Sequence, residues 1–424
     1  MRIKITGGRV IDPANAIDDQ LDIFIEDGKI IAVGSECPGF QSDEEIDASD
    51  LWVLPGLVDL AAHMREPGEE HKATIESETR AAASAGITTL CCPPDTSPII
   101  DTPAVAELIQ KRAEQAGYAH VLPVGALTKQ LKGEQLSEMA SLKEAGCVAL
   151  HNVKPLANTQ VQRLAMEYAE THGITVFITP EDRWLRNQGC AHEGRVSTRL
   201  GLPGIPEAAE TAAVARDLSL IEQLGVKAHF CRLSTARAAR MVARAQYDGL
   251  PVTADVSAHQ LHLTEMDISD YDSNCHVIPP LRTQRDREGL RTGITQGVIQ
   301  AICSDHQPHE ADAKLAPFCS TRPGMSTLET LLPLSLRLIE EENLPVMEAI
   351  RRVTSGPANI LNLETGTLGC GKQADICLLD PNSYWQLSAD TMFSQGHNTP
   401  FLNWEFKGQV KRTLLAGKTV FNRD

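Results

Sequence analysis

Residues 53–68 read VLPGLVDLAAHMREPG, and this stretch decides the fold. An apolar, β-branched run from Val53 to His63 reads as a strand that ends in polar residues, His63 and Arg65. Seven further candidate strands follow: Thr88–Pro94, His120–Leu127, Cys147–Val153, Thr175–Glu181, Lys227–Ser234, Val252–Ser257 and Val298–His306. Between them lie amphipathic helical stretches, among them Ala73–Ala85, Pro103–Ala116, Thr159–Thr171, Pro206–Leu224 and Thr235–Tyr247. Eight strands with intervening helices fit an α/β fold, a (β/α)8 TIM-like barrel. Periodicity alone leaves a doubly wound sheet open.

The flanks read differently. Arg2 to Ile5 alternates, Gly7-Gly8 turns, Leu21 to Ile25 alternates again, and Asp27-Gly28 is a hairpin signal before Ile30 to Val33. The far end repeats this style in Ala374–Leu379, Gly408–Leu415 and, after the turn at Gly417-Lys418, Thr419–Phe421. The expectation is one small β domain from both termini, residues 1–54 with 365–424, around a barrel of residues 55–364.

Composition bounds the partners. With 56 Asp+Glu against 39 Lys+Arg in 424 residues, the formal charge is −17, which disfavours nucleic acid and anionic membrane. The start, MRIKITGGRVIDP, lacks the apolar core of a signal peptide, and no run reaches a membrane-spanning length. Eleven cysteines are too few for a disulfide scaffold; Cys147, Cys231 and Cys303 sit in apolar runs where a free thiol acts as a small hydrophobe. A soluble, cytoplasmic protein in a reducing setting is expected. Thirteen histidines would suit a metalloenzyme, so their placement matters.

In a barrel, chemistry gathers at the C-terminal strand ends. Those ends carry His63 and Arg65, Asp95, His151 and Asn152, Thr179 and Glu181, Arg232, Ser257 to His259, and Asp305 with His306 and His309. Each alone commonly does no more than satisfy backbone at a loop start. Together they describe a polar ring around one mouth.

The motifs around these residues closely resemble the dihydroorotase branch of the amidohydrolase superfamily. They are Pro55 to Leu60 running into His63 to Gly68, Glu70-His71-Lys72, Gly86-Ile87-Thr88-Thr89, Pro279 to Arg282, Ser304 to His309, Ser355 to Ala358 and Asn398 to Phe401. The likeness covers essentially the whole chain and implies the barrel with its composite β domain. It also implies a zinc centre, and there the sequence departs. The His-x-His of the first strand is Ala61-Ala62-His63, so the first ligand position is a methyl group. The bridging acid of the fourth strand falls in Leu150 to Pro155, where His151-Asn152 replaces acidic residues. The histidines of the fifth and sixth strands fall on Thr179 and Arg232; Asp305 of the eighth persists.

Only His63 and Asp305 remain of the implied ligand set, whereas a catalytic zinc takes three protein ligands. No metal and no other cofactor is expected. Arg232, a permanent cation, is expected to stand in for the metal and pair with Asp305. The implied substrate clamp is altered too: Arg65 and His309 persist, but Asp95 stands where the family has Asn, and Ile278 replaces another Asn. His259-x-x-His262 has metal spacing but matches a structural segment, and a rewired site of His63, His151, Glu181 and Asp305 would share its space with Arg232.

The pocket residues are therefore read as vestigial: His63, Arg65, Asp95, His151, Thr179, Arg232, Asp305 and His309, with no catalytic residue assigned. The chain is most similar to non-catalytic members of the family that associate with aspartate carbamoyltransferase in pyrimidine biosynthesis. That resemblance implies a hetero-oligomer with the transferase catalytic chain, held by a surface that the sequence does not identify. Two other readings stay open, an active cyclic amidohydrolase with a reduced or relocated metal site and a metal-free sensor of a pyrimidine intermediate.

Overall fold

The chain changes partners at Gly56. Gly56 N–H donates to Asp375 O in the terminal β domain, and Leu57 N–H donates to Gly86 O in the barrel. A computed structural model describes residues 1–423. The expected strand Val53–His63 is thus two strands, Trp52–Pro55 and Leu57–Asp59, which belong to different sheets. A Cβ at position 56 would overlap the Thr88 side chain, so only glycine lets the two layers meet there.

Eight parallel strand positions close the barrel. In order they are Leu57–Asp59, Ile87–Cys92, His120–Pro123 continued by Gly125–Ala126, Leu150–His151, Val176–Ile178, Ala228–Phe230, Val252–Ser257 and Ala301–Cys303. His306 N–H donates to Ala61 O at 3.1 Å and His63 N–H to His306 O at 2.9 Å, joining the eighth strand to the first. The observed strands are shorter than the apolar runs because residues past the ladder stay buried; Leu60 and Ala61, beyond Asp59, pack inside the barrel. The third strand breaks at Val124, just past Pro123, which has no N–H to give to a ladder.

Helices cover the outside, and their starts are legible in local chemistry. Thr74 and Ser77 form a reciprocal cap on Ile75–Ser84, Asn158 caps Thr159–Thr171, and Thr235 caps Ala236–Tyr247. The expected Pro206–Leu224 helix begins at Ala208. Inside the barrel lie small residues and thiols, including Ala61, Cys91, Ala149, Cys231, Ala301 and Cys303, with Ile360 and Leu361 in the same cluster.

The terminal β domain is two sheets. One orders Lys29–Gly34, Asp22–Glu26, Arg2–Thr6 and Glu44–Asp47; the other orders Lys418–Asn422, Glu405–Leu415, Ile376–Gln386, Trp52–Pro55, Arg9–Asp12 and Ile17–Gln20. Ile5, Ile23, Val53, Ile376 and Leu414 pack between them. Among the described residues no helix is long and apolar enough to cross a membrane. The cysteine reading needs one correction: Cys190 and Cys319 form a disulfide, while the other nine remain free.

Gly56→Ala should lower the unfolding free energy by about 1–3 kcal/mol through forced overpacking against Thr88, measured by urea denaturation.

Candidate functional site

Barrel closure brings the strand-end residues to one mouth. Arg232 Nη1 donates to Asp305 Oδ1 at 2.8 Å, and Nη2 donates to Thr179 Oγ1 at 3.1 Å. Thr179 Oγ1 is also hydrogen-bonded to His151 Nε2, 2.9 Å away. A cation, a hydroxyl and an imidazole thus form one relay across the fourth, fifth and sixth strands. Gln307 Nε2 adds a second donor to Asp305 Oδ1 at 3.1 Å, whereas Asp305 Oδ2 has no protein partner. Arg232, Asp305 and Arg65 all hold left-handed backbone, with φ of 56°, 49° and 60°. Such backbone in non-glycine residues is uncommon and gathers at special sites.

On the first-strand side, His63 Nδ1 lies 2.9 Å from Asp95 Oδ1. Arg65 Nε donates to Pro308 O at 3.0 Å, and its Nη1 lies 3.7 Å from Glu69. His309 Nε2 is 3.0 Å from Pro323 O and donates to it, which leaves Nδ1 as an unpartnered acceptor. The Arg65 Nη2–His309 Nε2 approach of 3.3 Å is then a contact of two donors, not a bond. Glu181 pairs with Arg186 at 3.2 Å, outside the Arg232 relay. His262 is bound to Leu334 O at 2.8 Å beside Arg291, a structural role, while both ring nitrogens of buried His259 lack partners.

Burial sets the electrostatics. It pushes the imidazole pKa of His151 down to about 3, with Arg232 adding to the effect, and that of His259 to about 4. His309 falls to about 3 for the same reason, aided by Arg65. Burial works against the Arg232 charge, but the Asp305 carboxylate outweighs it and holds the guanidinium pKa above its ordinary value. Burial likewise opposes ionisation of Asp95, yet His63 and Arg65 keep its carboxyl well below the usual range.

Sequence comparison places these residues in a family. A dihydro-orotase-like model matches residues 51–238, and an amidohydrolase family model matches residues 312–421. A dihydroorotase-like protein of Pseudomonas aeruginosa is 50% identical over 98% of this chain and 99% of its own length. The chain belongs to the dihydroorotase-like family. A second dihydroorotase-like protein, from Pseudomonas putida, is 48% identical over 98% of each chain. A protein named dihydroorotase from a Geobacter species is 42% identical over 99% of each chain. The fold is shared with the L-hydantoinase (dihydropyrimidinase) of Arthrobacter aurescens, at a TM-score of 0.90, 21% identity, and coverage of 99% and 96%.

Amidohydrolases usually bind metal, but the mouth of this dihydroorotase-like chain does not fit one. His151 Nε2 is engaged with Thr179 and Ala61 offers no ligand atom, so of the implied set only His63, through Nε2, and Asp305, through Oδ2, keep a free ligand atom, fewer than the three protein ligands a catalytic zinc takes. The Arg232 guanidinium would stand among the ligands and repel a dication. Among the described residues one group has metal-like spacing, His229, Cys231 and Asp255. Its donors are already engaged: His229 Nε2 bonds Asp255 at 2.9 Å and Nδ1 bonds Thr253 at 2.8 Å, while Asp255 also accepts from Arg232 N–H. This cluster supports the Arg232 backbone from below. Sequence reading passed over His229 and Asp255, although His229 and Cys231, two apart on a strand, had to share a face.

Arg232→Met alone should cost about 3–5 kcal/mol by leaving Asp305 buried without its cation, whereas adding Asp305→Leu should recover most of that. Chemical denaturation of the single and double variants separates these outcomes. The depressed histidines set an acid limit. Their folded pKa values lie below the unfolded value of about 6.5, so the unfolded chain binds more protons as pH falls. Stability should therefore drop from about pH 6.5 towards pH 4 by up to about 1.4 kcal/mol per pH unit for each such histidine. His259→Gln should flatten the slope of unfolding free energy against pH in that window.

Proposed function

We propose that this chain is a non-catalytic dihydroorotase homologue, a cytoplasmic structural subunit that helps assemble or stabilise an aspartate carbamoyltransferase complex in pyrimidine biosynthesis. One observation carries the non-catalytic part: the guanidinium of Arg232 lies 2.8 Å from Asp305, the residue that the family resemblance makes a metal ligand. A metal-activated water has no place to form there, and Asp305 is tied to a cation rather than free to move a proton. No mouth residue is left as the catalytic group, and no cofactor is required. The partner reading rests on resemblance to non-catalytic family members. A folded subunit that binds only the assembled transferase stabilises it by mass action and needs no active site.

The alternative is an active cyclic amidohydrolase with a reduced or relocated metal site. Relatives 42% identical that are named dihydroorotase favour it. Metal analysis joined to a dihydroorotate cyclisation assay decides between the two. The structural reading expects no stoichiometric zinc and no turnover, even after His is restored at Ala61, Thr179 and Arg232. Stoichiometric zinc with chelator-sensitive turnover would overturn it. For the partner, the full chain should co-purify with the transferase catalytic chain, and transferase mass by light scattering should fall when it is withheld. An unchanged transferase oligomer sinks the assembly role.

A further inference from the structure

Two loops close over one side of the mouth, residues 179–207 after the fifth strand and 304–330 after the eighth. A covalent bond joins them: Cys190 and Cys319, 129 residues apart, form a disulfide with Cα atoms 5.4 Å apart. Cys190 is buried and Cys319 is exposed, so a reductant in solution meets the Cys319 sulfur first. The other nine cysteines are free and seven of them are buried, so this chain is not a disulfide scaffold. A solitary bond among thiols has the character of a redox-responsive contact rather than a folding staple.

Little else fastens the outer part of the eighth-strand loop. Residues 311–320 form two short turns, Ala311–Lys314 and Phe318–Ser320, and Phe318 is the one buried apolar side chain among them. Its ring sits 4.9 Å from His276. Hydrogen bonds add to this: Lys314 Nζ to Ser273 O and Arg322 O, Ser273 Oγ to Lys314 O, Thr321 Oγ1 with His276 Nδ1, Arg322 N–H to Ala313 O and Gly324 N–H to His276 O. Segments with few apolar contacts open at low free-energy cost. Yet the same loop supplies Asp305 and His309, and Pro323 O fixes the His309 ring. Freedom at Cys319 therefore reaches the mouth within four residues of chain, at Pro323.

We propose that Cys190–Cys319 is a reversible redox strap: its reduction releases the loops after the fifth and eighth strands from each other and loosens that side of the mouth. A dithiol reductant acts in two balanced steps. One thiolate attacks Cys319 Sγ, forming a mixed disulfide and breaking the Cys190–Cys319 bond, and the electron pair leaves on Cys190 Sγ, which takes a proton. The second thiol then displaces Cys319, leaving two cysteine thiols and the oxidised dithiol.

The test uses the full chain purified aerobically with thiols trapped by N-ethylmaleimide. Peptide mapping should recover residues 190 and 319 in one cross-linked species, and hydrogen exchange after reduction by a dithiol should rise at least about tenfold in 187–203 and 310–323, but not in the barrel strands. The double variant Cys190→Ser/Cys319→Ser should show the fast exchange from the outset and ignore the dithiol. Recovery of both cysteines as maleimide adducts without reductant overturns the proposal. So does unchanged exchange on reduction, a result that needs only the unmodified chain.

Discussion

The mouth is organised around one buried ion pair, Arg232 with Asp305, which spans from the sixth strand to the eighth. Two opposite charges under cover of protein are tolerated only together, because either one alone would have to be desolvated without return. Their geometry then dictates the neighbours. The second guanidinium nitrogen orients Thr179, Thr179 orients His151, and His229 with Asp255 props the Arg232 main chain from beneath. A metal ion is a ligand that comes and goes with pH and concentration. A guanidinium paired with Asp305 is covalently part of the chain and is present whenever the chain is folded.

The eighth-strand loop is anchored from below by two further buried acids. Asp59 accepts from Ser304 N–H and Oγ, tying the first strand to the eighth. Glu78, on the helix that follows the first strand, bonds His306 and also accepts from Ser394 Oγ. Asn398 in turn accepts from His309 N–H at 2.8 Å. The inner half of that loop is therefore fixed by buried polar contacts from three parts of the chain, while its outer half relies on the Cys190–Cys319 bond, the Phe318 ring and a few hydrogen bonds. Rigidity and looseness are separated within some twenty-five residues of one loop.

The barrel was largely legible because each buried strand writes itself as an apolar run, and the eight runs fall in the right order. Their limits were not, since residues at the mouth keep apolar character after they leave the ladder; Leu60 and Ala61 pack inside the barrel beyond Asp59. In the site, the substitutions at Ala61, Thr179 and Arg232 could be seen by register with family motifs. The pairing of Asp95 with His63 could not, because residues 32 apart meet only through the way neighbouring strand ends lean together. Sequence reading placed Asp95 only as a replacement for Asn in the substrate clamp, whereas its partner is an imidazole of the same mouth. The Cys190–Cys319 bond was equally hidden, for nothing in either local sequence marks a partner 129 residues away.

The six-stranded terminal sheet sets an order on synthesis. Trp52–Pro55 pairs on one side with Arg9–Asp12 and on the other with Ile376–Gln386, whose residues are the far end of the chain. At translation rates of about 5–20 residues per second, the second partner begins to emerge roughly 15–65 s after Trp52–Pro55 itself. Throughout that interval the ribosome-bound chain carries an open strand edge beside an unfinished barrel, and an open edge invites pairing with any other extended segment. The finished protein hides this history completely, since one of its late strands is also the seal on one of its earliest.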